Sequence, residues 1–266
     1  MRYARGYIAL SDANDVPVLL HIRNARAIQF DQLRDLILFD GSGVAVNSLR
    51  WRVARLEKNG VIQRFQDVRY LGKPVYGITS AGLSFLESRG HILFSLPSTT
   101  ERKIIHSLQI PHALELVNIR LAMLRTGILV AWKCDLEIAS RNLVLDGPPA
   151  KDYDAIAEIE VDGVAHSIAI EYERSLKKIA RYREIREILN QDQTAETILY
   201  LAVNEQLLYT LACELRAVGK HIGFVLSSSF RQSPLNTLMV INNAKNDTVS
   251  LREFLAAESR QSAGVF

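Results

Sequence analysis

Asp162-Gly163 stands midway between two runs of alternating residues, Tyr153–Val161 and Val164–Tyr172. Asp-Gly tolerates the positive φ of a type I′ turn, so the pattern predicts a β-hairpin with a two-residue loop. Facing Val161 with Val164 fixes the rest of the ladder. Ile159 meets His166, Ala157 meets Ile168, Ala155 meets Ile170 and Tyr153 meets Tyr172. That face is apolar and is expected to be buried. The opposite face sets Asp154 against Glu171 and Asp152 against Glu173, four carboxylates at the open end. Like charges directly opposed, roughly 4.5–5.5 Å apart at Cβ, destabilise a ladder. A divalent cation is the simplest way to offset that cost, because carboxylate oxygens suit Mg²⁺. A solvated strand end is the plain alternative. A one-residue bulge would exchange the two faces.

The 266 residues suffice for one large or two ordinary domains, and 48% of them are apolar, enough for a sizeable core. The net charge of +3 is unevenly spread. Residues 1–90 hold 13 Lys and Arg against 8 Asp and Glu, whereas residues 91–266 hold 19 against 21. The basic N-terminal part suggests an anionic partner there. Cys134 and Cys213 stand far apart without CxxC spacing, which excludes a Cys-rich zinc module and argues against a disulfide framework. No apolar run approaches the roughly 18 residues of a membrane span, and MRYARGYIAL lacks the apolar stretch of a signal peptide. A cytoplasmic protein with no membrane partner is expected. No GxGxxG or P-loop is present, so no nucleotide cofactor is expected. The six His residues show no metal-ligand spacing.

Residues 1–90 read as a small α+β unit. Val16–Ile22 is expected to be helical, with Pro17 in its first turn. Asp31 is placed as the cap of a second helix, Gln32–Phe39. Asn47 or Ser48 caps a third, which Asn59-Gly60 stops. Leu49, Val53 and Leu56 form its apolar face. Its other face carries Ser48, Trp51, Arg52 and Arg55, with Arg50 and Lys58 on the flanks. Two strand-like runs, Val61–Val68 and Val75–Thr79, follow and carry Arg64, Arg69 and Lys73. Thr79-Ser80-Ala81-Gly82 then opens a helix, Leu83–Ser88.

This order, and the phrase RLEKNGVIQR…YGITSAG ending at Gly82, resembles a winged helix-turn-helix. In such domains the third helix enters the major groove of double-stranded DNA and the wing touches the backbone. Arg52 and Arg55 suit phosphates or a guanine edge, and Lys73 lies at the wing tip. Trp51 either meets DNA or packs against the wing. A protein-interaction surface is the alternative for the whole domain.

Residues 91–110, with Pro97 and Ser98-Thr99-Thr100, read as a linker, and residues 111–266 as a second domain. Pro111 starts a helix, His112–Arg125. Ile128–Trp132 and Leu136–Ala139 are strand-like, and Asp146-Gly147-Pro148-Pro149 is a loop before the hairpin. A basic helix from about Ser175 to Asn190 follows, holding Arg174, Lys177, Lys178, Arg181, Arg183 and Arg186 about its length. Thr197–Val203, Ile222–Leu226 and Thr237–Ile241 are expected strands. Asn204 caps a helix over 205–218, and Leu251–Ala257 is a short last helix. The fold class is therefore an α+β winged helix followed by an α/β mixed sheet.

An Asp on one strand and Glu-x-Glu on the next resemble the PD-(D/E)xK nuclease superfamily. His112-Ala113-Leu114…Val117-Asn118, Tyr153-Asp154-Ala155 and Ile170-Glu171-Tyr172-Glu173-Arg174…Lys178…Tyr182 are similar to the replication-relaxation family of plasmids and mobile elements. The resemblance implies that Asp154 and Glu171 hold Mg²⁺ or Mn²⁺, with Glu115 as an additional helix acid. His112 matches the family's helix histidine, and a satisfied core histidine is the alternative. Glu173 stands where the motif has the lysine that orients the attacking water, and Lys177 or Lys178 would have to reach in from the helix. The catalytic set expected is Asp154, Glu171, Glu173 and Lys178. The expected function is a mobile-element DNA-binding protein with a metal-dependent nuclease domain, acting in replication, mobilisation or transposition. The alternative is a transcriptional regulator or replication accessory protein whose nuclease-like domain is inactive. That domain would then mediate homodimerisation or bind a mobile-element protein.

Overall fold

The structure, a computed structural model, describes residues 9–41, 43–70, 72–96, 107–144, 150–242 and 248–263. For 66–70 and 258–263 it describes the backbone alone. The chain divides into two units, one up to Leu121 and one from Ala122 onward.

The first unit runs α1 (Asp15–Ala25), β1 (Ile28–Gln29), α2 (Phe30–Phe39), α3 (Val46–Lys58), β2 (Ile62–Tyr70), β3 (Lys73–Ile78) and α4 (Ser80–Ser88), then enters α5 (Ile110–Arg125). Leu19 and Ile22, Leu33 and Leu36, Leu49 and Leu56, and Leu83 and Leu86 are buried from the first four helices in turn. The apolar spacing of each helix supplies that core. The strands form an antiparallel sheet in the order β1-β3-β2, with Ile28 opposite Tyr76 and Ile62 opposite Ile78. Gly60, at φ +69°, ends α3 in the left-handed conformation that glycine adopts without steric cost. Thr79 caps α4, its Oγ1 accepting from the Gly82 N–H at 3.3 Å.

Two expected caps are corrected. α2 begins at Phe30, before Asp31, and Gln32 Oε1 accepts from the Gln29 N–H at 3.0 Å. Asp31 instead meets the Lys73 ammonium at 2.5 Å. α3 begins at Val46, so Asn47 and Ser48 lie within its first turn, where no side-chain cap forms.

The second unit continues with β4 (Leu129–Cys134), α6 (Asp135–Val144), β5 (Ala155–Val161), β6 (Val164–Glu173), α7 (Ile179–Gln191), β7 (Thr197–Ala202), α8 (Glu205–Glu214), β8 (His221–Leu226), α9 (Ser227–Gln232), β9 (Leu238–Ile241), β10 (Thr248–Ser250) and α10 (Leu251–Ala263). Its seven-stranded sheet has the order β10-β9-β8-β7-β6-β5-β4. The pairs β6–β7 and β7–β8 are parallel, and helices α7 and α8 make the crossovers between them. The other pairs are antiparallel.

The β5–β6 hairpin has the expected register, from Val161↔Val164 to Ala155↔Ile170. Asp162 and Gly163 both take positive φ, 53° and 79°, as a type I′ turn requires. Ala155, Ala157, Ile159, Ile168 and Ile170 are all buried. The alternation stops at Ala155. Tyr153 packs with Ala169, Tyr182, Leu189 and Tyr200, on the sheet face that α7 and α8 cover.

Residues Leu136–Ala139, expected as a strand, lie in α6. Four apolar residues carry no period that separates strand from helix. Here Asp135 Oδ1 accepts from the Leu136 N–H at 2.8 Å, and Glu137 Oε2 from the Cys134 N–H at 3.0 Å, which settles the helix start. The basic helix begins at Ile179, so Arg174 and Lys177 precede it. The loop 146–149 and residues Pro97–Thr100 lie outside the described residues.

Candidate functional site

β6 carries Glu171 and Glu173 on the same face as Ala169, paired in register with Tyr200 and Ala202 of β7. Parallel strands covered by helices on this face bury that end of the ladder. Glu171 is consequently 9% exposed. The four facing carboxylates predicted for the hairpin are rearranged. Asp154 Oδ2 accepts from the Tyr172 N–H at 2.8 Å, so a side chain takes the ladder position beyond the last regular pair. Asp152 is exposed and accepts from Asn142 Nδ2 at 2.8 Å.

Two lysines meet the two glutamates. The Lys151 ammonium donates to Glu171 Oε1 and the Lys177 ammonium to Glu173 Oε1. Burial pushes the Glu171 carboxyl up to about 7. Lys151 opposes the shift, while the charges of Asp154 and Glu173 add to it.

Asp192, at the C-terminal end of α7, frames the site from below. Its Oδ1 accepts from the Lys151 N–H at 3.1 Å and from Thr194 Oγ1 at 2.7 Å. Its Oδ2 accepts from the Tyr153 hydroxyl at 2.8 Å, and the Lys220 ammonium lies 3.6 Å away. Burial alone would raise the Asp192 carboxyl, but these hydrogen bonds and Lys220 hold it below the usual carboxylate range.

Asp154 and Glu171 offer hard oxygen donors of the kind that suit Mg²⁺ or Mn²⁺. Mg²⁺ is commonly held by one or two carboxylates, with water and phosphate completing the shell. Among the described residues no three of His, Cys, Asp and Glu gather as a ligand set.

The other predicted residues are placed as follows. Lys178 is the exposed N-cap residue of α7. Glu115 lies in the first unit, 6% exposed, and accepts from Asn118 Nδ2 at 3.1 Å. Asn118 Oδ1 in turn accepts from Gln32 Nε2 at 2.8 Å. Arg64 and Lys73 are exposed on the ribbon, and Arg69 belongs to the stretch whose side chains are not described.

On α3, Leu49, Val53 and Leu56 are buried. Asn47, Ser48, Arg50, Trp51, Ala54 and Lys58 are exposed, Trp51 at 66%. Arg52 and Arg55 turn inward. Arg52 Nη1 lies 2.9 Å from Asp15 Oδ1, and Arg55 Nη2 lies 2.6 Å from both carboxylate oxygens. The Arg55 guanidinium also covers the Trp51 ring, 5.3 Å from its centre.

Three residues escaped the sequence reading: Lys151, Asp192 and Asp15. Lys151 lies outside both strands, where no periodicity points to it. Asp15 had one signal, a carboxylate within an otherwise apolar helix start, which needs a cationic partner once buried.

A family model described as Replication-relaxation matches residues 19–199, more than half of the chain. No curated protein and no solved structure matches it. No helix among the described residues is long and apolar enough to cross a membrane.

Proposed function

The chain belongs to the replication-relaxation family, and we propose that it is a DNA-binding protein of plasmid or mobile-element replication whose second unit is a PD-(D/E)xK-type nuclease domain. One observation carries the nuclease reading. Asp154, held by the Tyr172 N–H at 2.8 Å, and the buried Glu171 stand at the same open end of the β5–β6 hairpin. A buried carboxylate next to a second one supports reading this end of the hairpin as a cation site.

Asp154 and Glu171 would hold the Mg²⁺ or Mn²⁺ ion, which supplies a water of lowered pKa and a counter-charge for phosphate. The Asp154 carboxylate is oriented for that task by the Tyr172 N–H. Glu173 lies on the same face of β6, at the position the motif gives to its lysine. Exposed Arg174, Lys178 and Arg183 flank the site and suit a phosphate backbone.

The first unit is read as a winged helix that docks α3 in the major groove. Its exposed stripe of Asn47, Arg50, Trp51, Ala54 and Lys58 is the contact surface, and Arg64 and Lys73 of the ribbon are the backbone contacts. Arg52 and Arg55 support this surface from behind through Asp15.

A second reading is favoured by the lysines. With Lys151 on Glu171 and Lys177 on Glu173, the site has internal counter-ions, as an accessory protein with an inactive domain would. Incubation with supercoiled plasmid and Mg²⁺ or Mn²⁺ separates the two. Nicking that disappears in Asp154→Ala and Glu171→Ala supports the nuclease. DNA retention without nicking supports the accessory protein. Nicking that survives both substitutions removes the assigned site.

A further inference from the structure

Lys151 has no part in the two-acid scheme, yet it is the most firmly held cation at the site. Its side chain is 14% exposed, and its ammonium bonds to Glu171. The same ammonium lies 4.5 Å from the centre of the Tyr153 ring. Asp192 fixes both the lysine and the ring, through the Lys151 N–H at 3.1 Å and the Tyr153 hydroxyl at 2.8 Å. Asp192 is itself 3% exposed. A counter-ion for a carboxylate needs no such frame. Lys177 neutralises Glu173 from four residues along the chain with its side chain 29% exposed.

Hydrolysis of a phosphodiester at this sheet end brings an anion toward three carboxylates. Attack of water adds negative charge to the phosphoryl oxygens, and a fixed cation that is already desolvated stabilises that charge best. We propose that Lys151 is the catalytic lysine of this site, its ammonium passing from Glu171 to a non-bridging oxygen of the scissile phosphate. The proposal rests on the nuclease reading. In the step itself the water oxygen bonds to phosphorus and the P–O ester bond breaks. The water loses one proton to solvent, and the departing alkoxide gains one from solvent. One water is consumed, and no oxidant or reductant enters.

The position explains the Glu-x-Glu departure from the motif. A lysine at 173 and one at 151 would approach the same face of β6, and only one is required. Lys178 is exposed at the N-cap of α7 and has no comparable frame.

The test is plasmid nicking in Mg²⁺ by the full chain, with Lys151→Met, Lys151→Gln and the double variant Lys151→Met/Glu173→Lys. Thermal melts check that each folds. Lys151→Met and Lys151→Gln should lose roughly 10²–10³-fold in kcat, the size of one lost transition-state donor. KM for DNA should change little. Glu173→Lys should restore a large part of the loss, which a merely structural lysine would not allow. Wild-type rates in Lys151→Met overturn the proposal and leave the nuclease reading standing, provided Glu171→Ala is dead. A loss that Glu173→Lys does not restore makes Lys151 a structural counter-ion and overturns it as well. A wild-type chain that binds but never nicks overturns both.

Discussion

Arg55 holds both carboxylate oxygens of Asp15 at 2.6 Å, and the Asp15 side chain is completely buried. Arg52 reaches the same carboxylate at 2.9 Å, so two arginines of α3 tie that helix to the start of α1. Burial alone would raise the Asp15 carboxyl, but Arg55, Arg52 and the Ser11 N–H together hold it below the usual range. Breaking a buried ion pair outright costs about 3–5 kcal/mol. With Arg52 still in place, Arg55→Ala should cost about 2 kcal/mol. The stability that a depressed carboxyl confers is present above its unfolded pKa and is lost as pH falls through the folded one. Thermal melts between pH 6 and 3 should therefore fall less steeply in Arg55→Ala than in wild type. Equal slopes would mean that Asp15 does not draw its charge from Arg55.

The same geometry separates support from contact on α3. Trp51 is exposed while Arg55 covers one face of its ring. Trp51→Ala should keep the melting temperature within about 2 °C, since exposed substitutions cost little. It should weaken DNA binding by about 1–3 kcal/mol. Arg50→Ala and Lys58→Ala should each lower the salt slope of binding by about 1. Titration of a fluorescent duplex at several salt concentrations measures both quantities. Unchanged affinity in Trp51→Ala would remove α3 as the contact surface.

Gly82 sits where α4 starts against the end of the ribbon. A Cβ there would lie 2.4 Å from the Val61 carbonyl oxygen and 2.7 Å from Ile78 Cγ1. The carbonyl is fixed backbone, and it already accepts from the Thr79 N–H and hydroxyl at 3.2 and 2.8 Å. Gly82→Ala should therefore destabilise by about 1–3 kcal/mol or more, as overpacking does, despite alanine's better helix propensity. Urea unfolding followed by circular dichroism checks it. A stabilised variant would show that α4 shifts freely away from the ribbon.

The hairpin was legible because two constraints agreed. Asp162-Gly163 fixes the turn, and a side-chain period of two fixes every later pair. That logic ends where the strand ends. Tyr153 left the predicted face because Asp192, far along the chain, takes its hydroxyl. Lys151 was invisible for the same reason, being held from outside its own segment. Arg52 and Arg55 read as DNA contacts because helical spacing does not reveal a buried Asp15 37 and 40 residues away. In α6 the signal was present but outweighed. Asp135 and Glu137 mark a helix start, yet the apolar Leu136 and Ile138 between them look like alternation. Family phrases pointed to Asp154 and Glu171 without reference to any tertiary partner.

Glu171 gives the last prediction. Its carboxyl is raised from the ordinary 4.5 to about 7, first by burial and then by Asp154 and Glu173, against the pull of Lys151. Between those values the folded state keeps a proton that the unfolded chain has released. Stability must then fall as pH rises from about 4.5 to about 7 and level off above, because the folded state binds more protons in that window. Glu171→Gln removes the titration and should flatten this part of the profile, keeping an acceptor for Lys151. A divalent ion bound between Asp154 and Glu171 requires the ionised form, so Mg²⁺ or Mn²⁺ should raise the wild-type melting temperature more at pH 8 than at pH 5. The same additions should do little in Glu171→Gln. An equal metal effect at both pH values would place the ion elsewhere on the chain and detach the metal from the β5–β6 hairpin.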